Sequence, residues 1–286
     1  MLVSISGSTG LIGRELIDTY TNKGWTFRVI NRDSFRLPDH EFLEKKIEGV
    51  DAVINLAGAP ILKKWTDSYR KEIYNSRIET TRKITNAIIG AKVKPKVFIS
   101  GSAIGIYDTL NVHTEESTGF SDNFLGKVCR DWEAEALAAT GITRLILLRT
   151  GVVLSSKGGA LKSVHRIFSF GMGGVIGKGD QSFSWIHIRD LAHIYGAILE
   201  NENIRGIVNA VAPNPTTNYY FTKTFGKVLN QMTVFKIPLK LLKAIYGDAA
   251  STLAEGQNVI PEKLLNNGFE FEFPTIEKAL LNLYRI

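Results

Sequence analysis

Three glycines, Gly7, Gly10 and Gly13, follow the short apolar run Leu2-Val3-Ser4-Ile5-Ser6 and open a stretch carrying Leu11, Ile12, Leu16 and Ile17 at helical spacing. A strand running into G-x-x-G-x-x-G and then a helix has a chemical use. Gly7 permits a tight turn, Gly10 lets backbone approach a pyrophosphate, and Gly13 lets the helix pack hard on the sheet, while the helix N-terminus offers N–H groups to an anion. The candidate phosphate-binding segment is therefore Gly7, Ser8, Thr9, Gly10, Leu11, Ile12 and Gly13. The second strand ends Val29-Ile30-Asn31-Arg32, with no acid at its tip to hold a ribose 2′-hydroxyl. Arg32, beside Asn31, offers a planar cation for a 2′-phosphate, so NADP(H) is expected over NAD(H). Asp33 turned inward would weigh against this, and the competing reading of Arg32 is a solvated surface arginine.

These residues need a sheet behind them, and the pattern supplies one. Thr26–Ile30, Ala52–Leu56, Val97–Ser100 and Arg144–Arg149 read as strands. Helices are expected over Thr66–Ile89, with Tyr69, Ile73, Ile78, Ile84 and Ile88 inward, and over Asp122–Ala139. A polar, proline-bearing stretch runs from the second strand to Glu48. Apolar runs alternating with helices predict an α/β fold with a doubly wound parallel sheet. After Thr150 the texture changes: a helix near Leu161–Phe170, the glycine-dense loop Gly171–Gly179, a short strand Trp185–Ile188, and Asp190 as N-cap of a helix through Leu199. Ile207–Val211 reads as another strand, and a mostly helical remainder follows, with a strand over Phe269–Phe273. The expected division is residues 1–154 plus about 184–212 as a nucleotide-binding lobe, and 155–183 plus 213–286 as a smaller substrate lobe.

Composition narrows the function. The chain has 286 residues, 44% hydrophobic and 22% charged, as in ordinary globular proteins. The single cysteine, Cys129, cannot form an internal disulfide, which fits a reducing cytoplasm. No apolar stretch reaches the roughly 20 residues of a membrane span, and no secretory leader stands at the start. The net charge of +7 is spread in small lysine groups without a nucleic-acid module, so neither nucleic acid nor membrane is expected as a partner.

The residues resemble the extended short-chain dehydrogenase/reductase superfamily, in particular its atypical nucleoside-diphosphate-sugar epimerase-like branch. The resemblance rests on Ser6–Gly13, Asn55-Leu56-Ala57-Gly58, Asn75-Ser76-Arg77 with Thr80-Thr81, and Arg149–Leu154. Trp185–Ile188 with Asp190-Leu191, Pro213–Asn218 and Gly256–Pro261 extend it over nearly the full length. It implies a Rossmann-type lobe, a C-terminal substrate lobe and a cleft between them. It implies Leu56, Ala57 and Gly58 on the adenosine side, with Glu72, Arg77 and Val153 as further cofactor contacts. Arg77 stands where such proteins usually carry asparagine, and the plain alternative is a surface arginine paired with Glu79 or Glu72. Extended relatives often pair through two helices of the Rossmann lobe, so a homodimer is an arrangement the resemblance allows.

One part of the family pattern is missing. Members work with a Tyr-x-x-x-Lys pair, in which lysine lowers the pKa of the proton-transferring tyrosine. Here Leu125 and Cys129 occupy those positions, and a shift of one residue gives Phe124 and Val128. The sole literal Tyr-x-x-x-Lys, Tyr219 to Lys223, lies beyond the last Rossmann strand and reads as coincidence. Lys127 has no tyrosine four residues before it. Ser102 matches the superfamily's active-site serine, with a structural strand-end serine as the alternative. Tyr107 and His187 are the other candidates for proton transfer, His187 competing with an ordered sheet-edge histidine. Trp132 and Trp185 read as core or pocket wall. Two functions follow: an NADP(H)-dependent oxidoreductase or epimerase-like enzyme acting on a small carbonyl, hydroxyl or sugar-nucleotide-like substrate, or a binding protein that senses NADP(H). Lys178 and Gln181 in the glycine-dense region would approach an anionic or sugar-like substrate, unless the loop merely connects the lobes.

Overall fold

The computed structural model describes residues 1–35 and 40–284. In chain order the first part comprises β1 (Leu2–Ser6), α1 (Leu11–Thr21), β2 (Thr26–Ile30), α2 (His40–Ile47), β3 (Ala52–Asn55), α3 (Asp67–Gly90), β4 (Val97–Ala103), β5 (Val112–His113), α4 (Phe124–Leu137), β6 (Arg144–Thr150) and β7 (Val152–Leu154). The second part comprises α5 (Gly159–Ser169), β8 (Gly174–Ile176), β9 (Ser182–Phe183), β10 (Trp185–His187), α6 (Ile188–Glu200), β11 (Gly206–Ala210), β12 (Thr216–Thr217), α7 (Asn218–Val228), β13 (Phe235–Ile237), α8 (Leu239–Tyr246), α9 (Ser251–Ala254), β14 (Asn258–Val259), α10 (Glu262–Asn266) and α11 (Ile276–Tyr284).

Six strands form a parallel sheet in the order β11-β6-β4-β3-β1-β2. The apolar runs that predicted it are buried on both faces, as parallel strands require. Ala52, Ile54, Val97, Ile99, Ile146 and Leu148 point into one layer with α1 and α6. The intervening Val53, Phe98 and Leu147 point into the other, against α2, α3 and α4. A third core joins Leu154, Phe168, Trp185, Phe221, Phe225 and Leu280. Leu264, Phe269 and Phe271 pack back on the first layer.

Four local expectations are corrected. The polar stretch after β2 contains α2, whose Leu43 and Ile47 are buried against the sheet; Pro38 lies outside the described residues. Residues 269–273 form no strand, because the N–H groups of Glu272 and Phe273 donate to Asp190 at 2.9 and 3.0 Å. Asp190 therefore sits inside the first turn of α6 as a clamp on that segment, and His187 is the N-cap. The glycine-dense loop is partly ordered as β8, which pairs with β13.

Candidate functional site

The chain visits β2 on one side of β1 and then crosses to β3 on the other, so the strand order reverses between β1 and β3. In open parallel sheets ligands bind beyond the carboxyl ends of strands at such a reversal. Ser6 pairs with Ile30 on one side and Asn55 on the other, so the loops starting at Gly7, Asn31 and Leu56 emerge level with one another.

The first loop leaves no room for side chains at two of its glycines. Gly7 has φ +72°, and a Cβ there would stand 2.8 Å from the Leu56 carbonyl. A Cβ on Gly13 would stand 2.5 Å from the Gly7 oxygen and 2.7 Å from Ser8 Cα. At Gly10 it would meet only the Gly7 oxygen, at 3.1 Å. The Gly10 N–H donates to that same oxygen at 3.0 Å, closing the turn. Gly10 then caps α1 with no side chain over the helix end and no acid in the first turn, which keeps the N-terminal N–H groups available to an anion.

The third loop is held from below. Ser6 Oγ donates to Asn55 Oδ1 at 2.6 Å, and Asn55 Nδ2 donates to Thr81 Oγ1 at 2.8 Å. Trp132 Nε1 donates to the same Thr81 oxygen at 2.8 Å. Asn55 Oδ1 also accepts from the Ala57 N–H, fixing Leu56 and Ala57 at the crevice edge. This chain makes Trp132 a support of the loop through its N–H. The Thr80-Thr81 match was its only trace in the sequence.

Arg77 lies under this loop. It is 9% exposed, its Nη1 and Nη2 donate to the Ile73 and Ala59 carbonyls at 3.1 and 3.0 Å, and it lies over the Trp132 ring. A Cβ on Gly58 would be 3.0 Å from Arg77 Cζ. Burial lowers its pKa, and among the described residues no carboxylate pairs with it. The surface pair with Glu79 or Glu72 is therefore not formed. Glu72 is exposed and does not share the buried face of Arg77, so the structure does not bring those two together. At the other side, Asn31 Oδ1 accepts from the backbone N–H and hydroxyl of Ser34, which leaves Arg32 exposed at the tip of edge strand β2. A glycine cradle and free helix N–H groups at the reversal of strand order fit a dinucleotide carrying phosphates.

Beside this crevice a cavity of about 400 Å³ runs between the strand ends and the C-terminal elements. Leu11 and Val153, both expected at the cofactor, stand on its wall with Ala103, Leu125, Phe183 and Phe221. Its polar groups are neutral, among them Asn123, Thr150, Gln181 and Ser182, and Glu255 is the one ionisable side chain on the wall among the described residues. Glu255 was not among the residues expected at the site. Its signal was the adjacent Gly256–Pro261 match: a Cβ on Gly256 would lie 1.7 Å from the Ser182 oxygen, so the loop bearing Glu255 is pressed onto the cavity. Lys178 is exposed and off the wall, and Gln181 Nε2 donates to the Ile176 and Leu253 carbonyls.

The three proton-transfer candidates do not line this cavity. Tyr107 is fully buried: its hydroxyl accepts from Arg149 Nη1 at 2.8 Å and stands 2.9 Å from Asn209 Oδ1. Ser102 is one residue from the wall, yet it is buried and donates to Glu133 Oε1 at 2.6 Å. Glu133 in turn receives Nε and Nη2 of buried Arg149 at 2.8 and 2.7 Å. Both residues therefore belong to a buried polar network between β4, α4 and β6. His187 is buried against Phe273, and its Nδ1 accepts from the Arg189 N–H at 3.1 Å as the cap of α6. At the missing pair, Leu125 stands on the cavity wall and Cys129 is buried, its thiol pushed up to about 12 by burial. Tyr219 and Lys223 lie on α7, where Lys223 donates to the Thr233 carbonyl, away from the wall.

Burial pulls the His187 pKa down to about 3, with Arg189 adding to the effect. A folded-state value below the unfolded ~6.5 means that the unfolded chain takes up the proton first, so this group's contribution is complete above about pH 6.5 and is lost as pH falls toward 3. The variant His187→Asn keeps a capping oxygen and removes that proton uptake. Urea unfolding between pH 4 and 7 is expected to show a shallower fall in stability for it than for the native chain.

Residues 3–210 match the NAD dependent epimerase/dehydratase family, and residues 237–283 match a domain of unknown function. The chain belongs to the NAD dependent epimerase/dehydratase family. Human epimerase family protein SDR39U1 is 35% identical over 288 residues, covering 98% of each chain. Its chloroplastic homolog from Arabidopsis thaliana is 35% identical over 297 residues, covering 98% of this chain and 86% of that one. The crystal structure of human SDR39U1 (isoform 2) with NADPH has a TM-score of 0.92 at 33% identity, covering 99% of both chains. The UDP-glucuronic acid 4-epimerase of Bacillus cereus, with UDP-glucuronic acid and NAD, shares the fold at a TM-score of 0.78 and 16% identity, covering 99% of this chain and 98% of that one.

Proposed function

We propose that this chain is an NADP(H)-dependent oxidoreductase whose substrate is a small, uncharged carbonyl or hydroxyl compound. The wall of the cavity carries this reading: it is mostly apolar, with neutral hydrogen-bonding groups and, among the described residues, no cation and the single carboxylate Glu255. A sugar nucleotide would bring a diphosphate into that space with nothing to neutralise it, and Glu255 would repel it. The crystal structure of a human relative with NADPH supports the cofactor assignment, as do Arg32 at the tip of β2 and the unpaired Arg77. When bound, the cofactor supplies or accepts hydride at its nicotinamide ring. Gly7–Gly13 hold the pyrophosphate, Leu56–Gly58 flank the adenosine side, and Arg32 meets the 2′-phosphate. Leu125 cannot transfer a proton, so Glu255 takes that place, and Ser102 acts by holding Glu133. The lone, buried Cys129 fits a reducing cytoplasm.

The test is NADPH oxidation across aldehydes, quinones and sugar nucleotides. Turnover is expected with apolar carbonyl compounds and to fall at least tenfold in Glu255→Gln, with a changed pH profile. Preferred turnover of UDP-sugars would overturn the assignment. Arg32→Ala is expected to weaken NADPH binding about tenfold while leaving NADH binding nearly unchanged, read by fluorescence titration. The sensor reading is favoured by one observation, the commitment of Ser102, Tyr107 and His187 to buried partners. Micromolar NADPH binding with no turnover on any panel member would support it.

A further inference from the structure

The excess positive charge has an address. Residues 155–179 and 213–247 contain nine lysines and arginines and not one aspartate or glutamate, which leaves the rest of the chain slightly acidic. The fold joins the two stretches at β8 and β13, with Lys157 set apart in an ion pair to Glu15 of α1. Strand β8 pairs with β13, the Gly177 N–H donates to the Ile237 carbonyl, and a Cβ on Gly177 would touch Leu239 of α8 at 3.5 Å. Large apolar side chains stand out of this same surface. Met232 is 80% exposed, Phe170 72% and Val234 70%, with Met172, Phe235 and Leu239 about half exposed beside them. None of these six lines the cavity. Helix α8 buries only Leu242 and leaves Leu241, Ile245, Lys240 and Lys243 outward. Of the acids at the margin, Asp248 is paired with Arg70 and Glu277 accepts from Tyr220, while Asp180 follows Lys178 in the chain.

We propose that this basic, apolar face docks the protein on an anionic lipid bilayer. Exposed aliphatic and aromatic side chains interleaved with lysines match the boundary between anionic headgroups and acyl chains, where each kind of side chain finds its partner. Charge decides against the main alternative. A second copy seated by two-fold symmetry would set these cations against their own counterparts, with no acid in either stretch. Nucleic acid would satisfy the lysines and leave Phe170, Met232 and Val234 without a role. Such docking is peripheral: no described helix is long and apolar enough to cross a membrane.

The test is co-sedimentation of the full chain with vesicles of phosphatidylcholine alone and of phosphatidylcholine mixed with phosphatidylglycerol. Binding is expected only to the anionic vesicles and to weaken with added salt. Lys236→Gln and Lys240→Gln should each lower the partition coefficient about fivefold. Phe235→Ser with Met232→Ser should lower it by more, with NADPH affinity and near-ultraviolet circular dichroism unchanged as evidence of an intact fold. Equal binding to neutral vesicles, no binding at low salt, or native-like binding by the serine variant would overturn the proposal. So would a dimer in sedimentation velocity that dissociates in Phe235→Ser, because the face would then hold a second copy.

Discussion

Gly13→Ala is expected to lower NADPH affinity about a hundredfold, equivalent to roughly 3 kcal/mol, the upper range for forcing an extra carbon into a packed site. The added Cβ would sit 2.5 Å from the Gly7 oxygen and 2.7 Å from Ser8 Cα, so the turn proposed to cradle the pyrophosphate must open. Gly10→Ala separates a broken turn from a filled cradle. Its Cβ meets only the Gly7 oxygen at 3.1 Å, so its melting temperature should stay near that of the native chain. Its NADPH affinity should still fall, because the methyl group occupies the approach of the pyrophosphate. Fluorescence titration paired with thermal unfolding measures both. Native affinity in Gly13→Ala would show that the cradle is not where the cofactor sits.

The cradle was legible because its signal is local: three glycines, the strand before them and the helix after them lie within one short stretch. The parallel sheet was legible for a related reason, since β3, β4 and β6 are apolar on both faces and carry no alternation. That the three proton-transfer candidates stand off the cavity wall was not legible, for the opposite reason. Whether Tyr107 reaches a cavity depends on Arg149 and Asn209, and whether His187 does depends on Phe273, all far away in sequence. Asp190 had the composition of an N-cap, yet its partners at Glu272 and Phe273 come from a segment whose own pattern suggested a strand. Arg77 was expected at the cofactor from resemblance alone; its burial under the Leu56–Gly58 loop, on the Ile73 and Ala59 carbonyls, has no local signal in the sequence. The gathering of charge on the β8–β13 face was hidden because its two stretches lie far apart in the chain.

Glu133→Gln is expected to destabilise the fold by about 3–5 kcal/mol, because it leaves the buried guanidinium of Arg149 without a counter-charge. Arg149 is 2% exposed and donates through Nε and Nη2 to both carboxylate oxygens, so water cannot replace the lost partner. Replacing both members, as in Glu133→Leu with Arg149→Met, removes the charge along with its partner and should recover more than half of the loss. Urea unfolding of the single and double variants gives the coupling directly. A single-variant loss under about 1 kcal/mol would mean that the network with Ser102 and Tyr107 is not what holds β4, α4 and β6 together.

In the proposed function a dinucleotide seats where β1 passes into α1, with its extra phosphate at Arg32. Equilibrium titration of the native chain with NADPH and NADH, side by side, tests it most directly. Binding of NADPH at least tenfold tighter than NADH is the predicted result. Equal or tighter NADH binding would contradict the phosphate assignment, and failure to bind either would contradict the site itself.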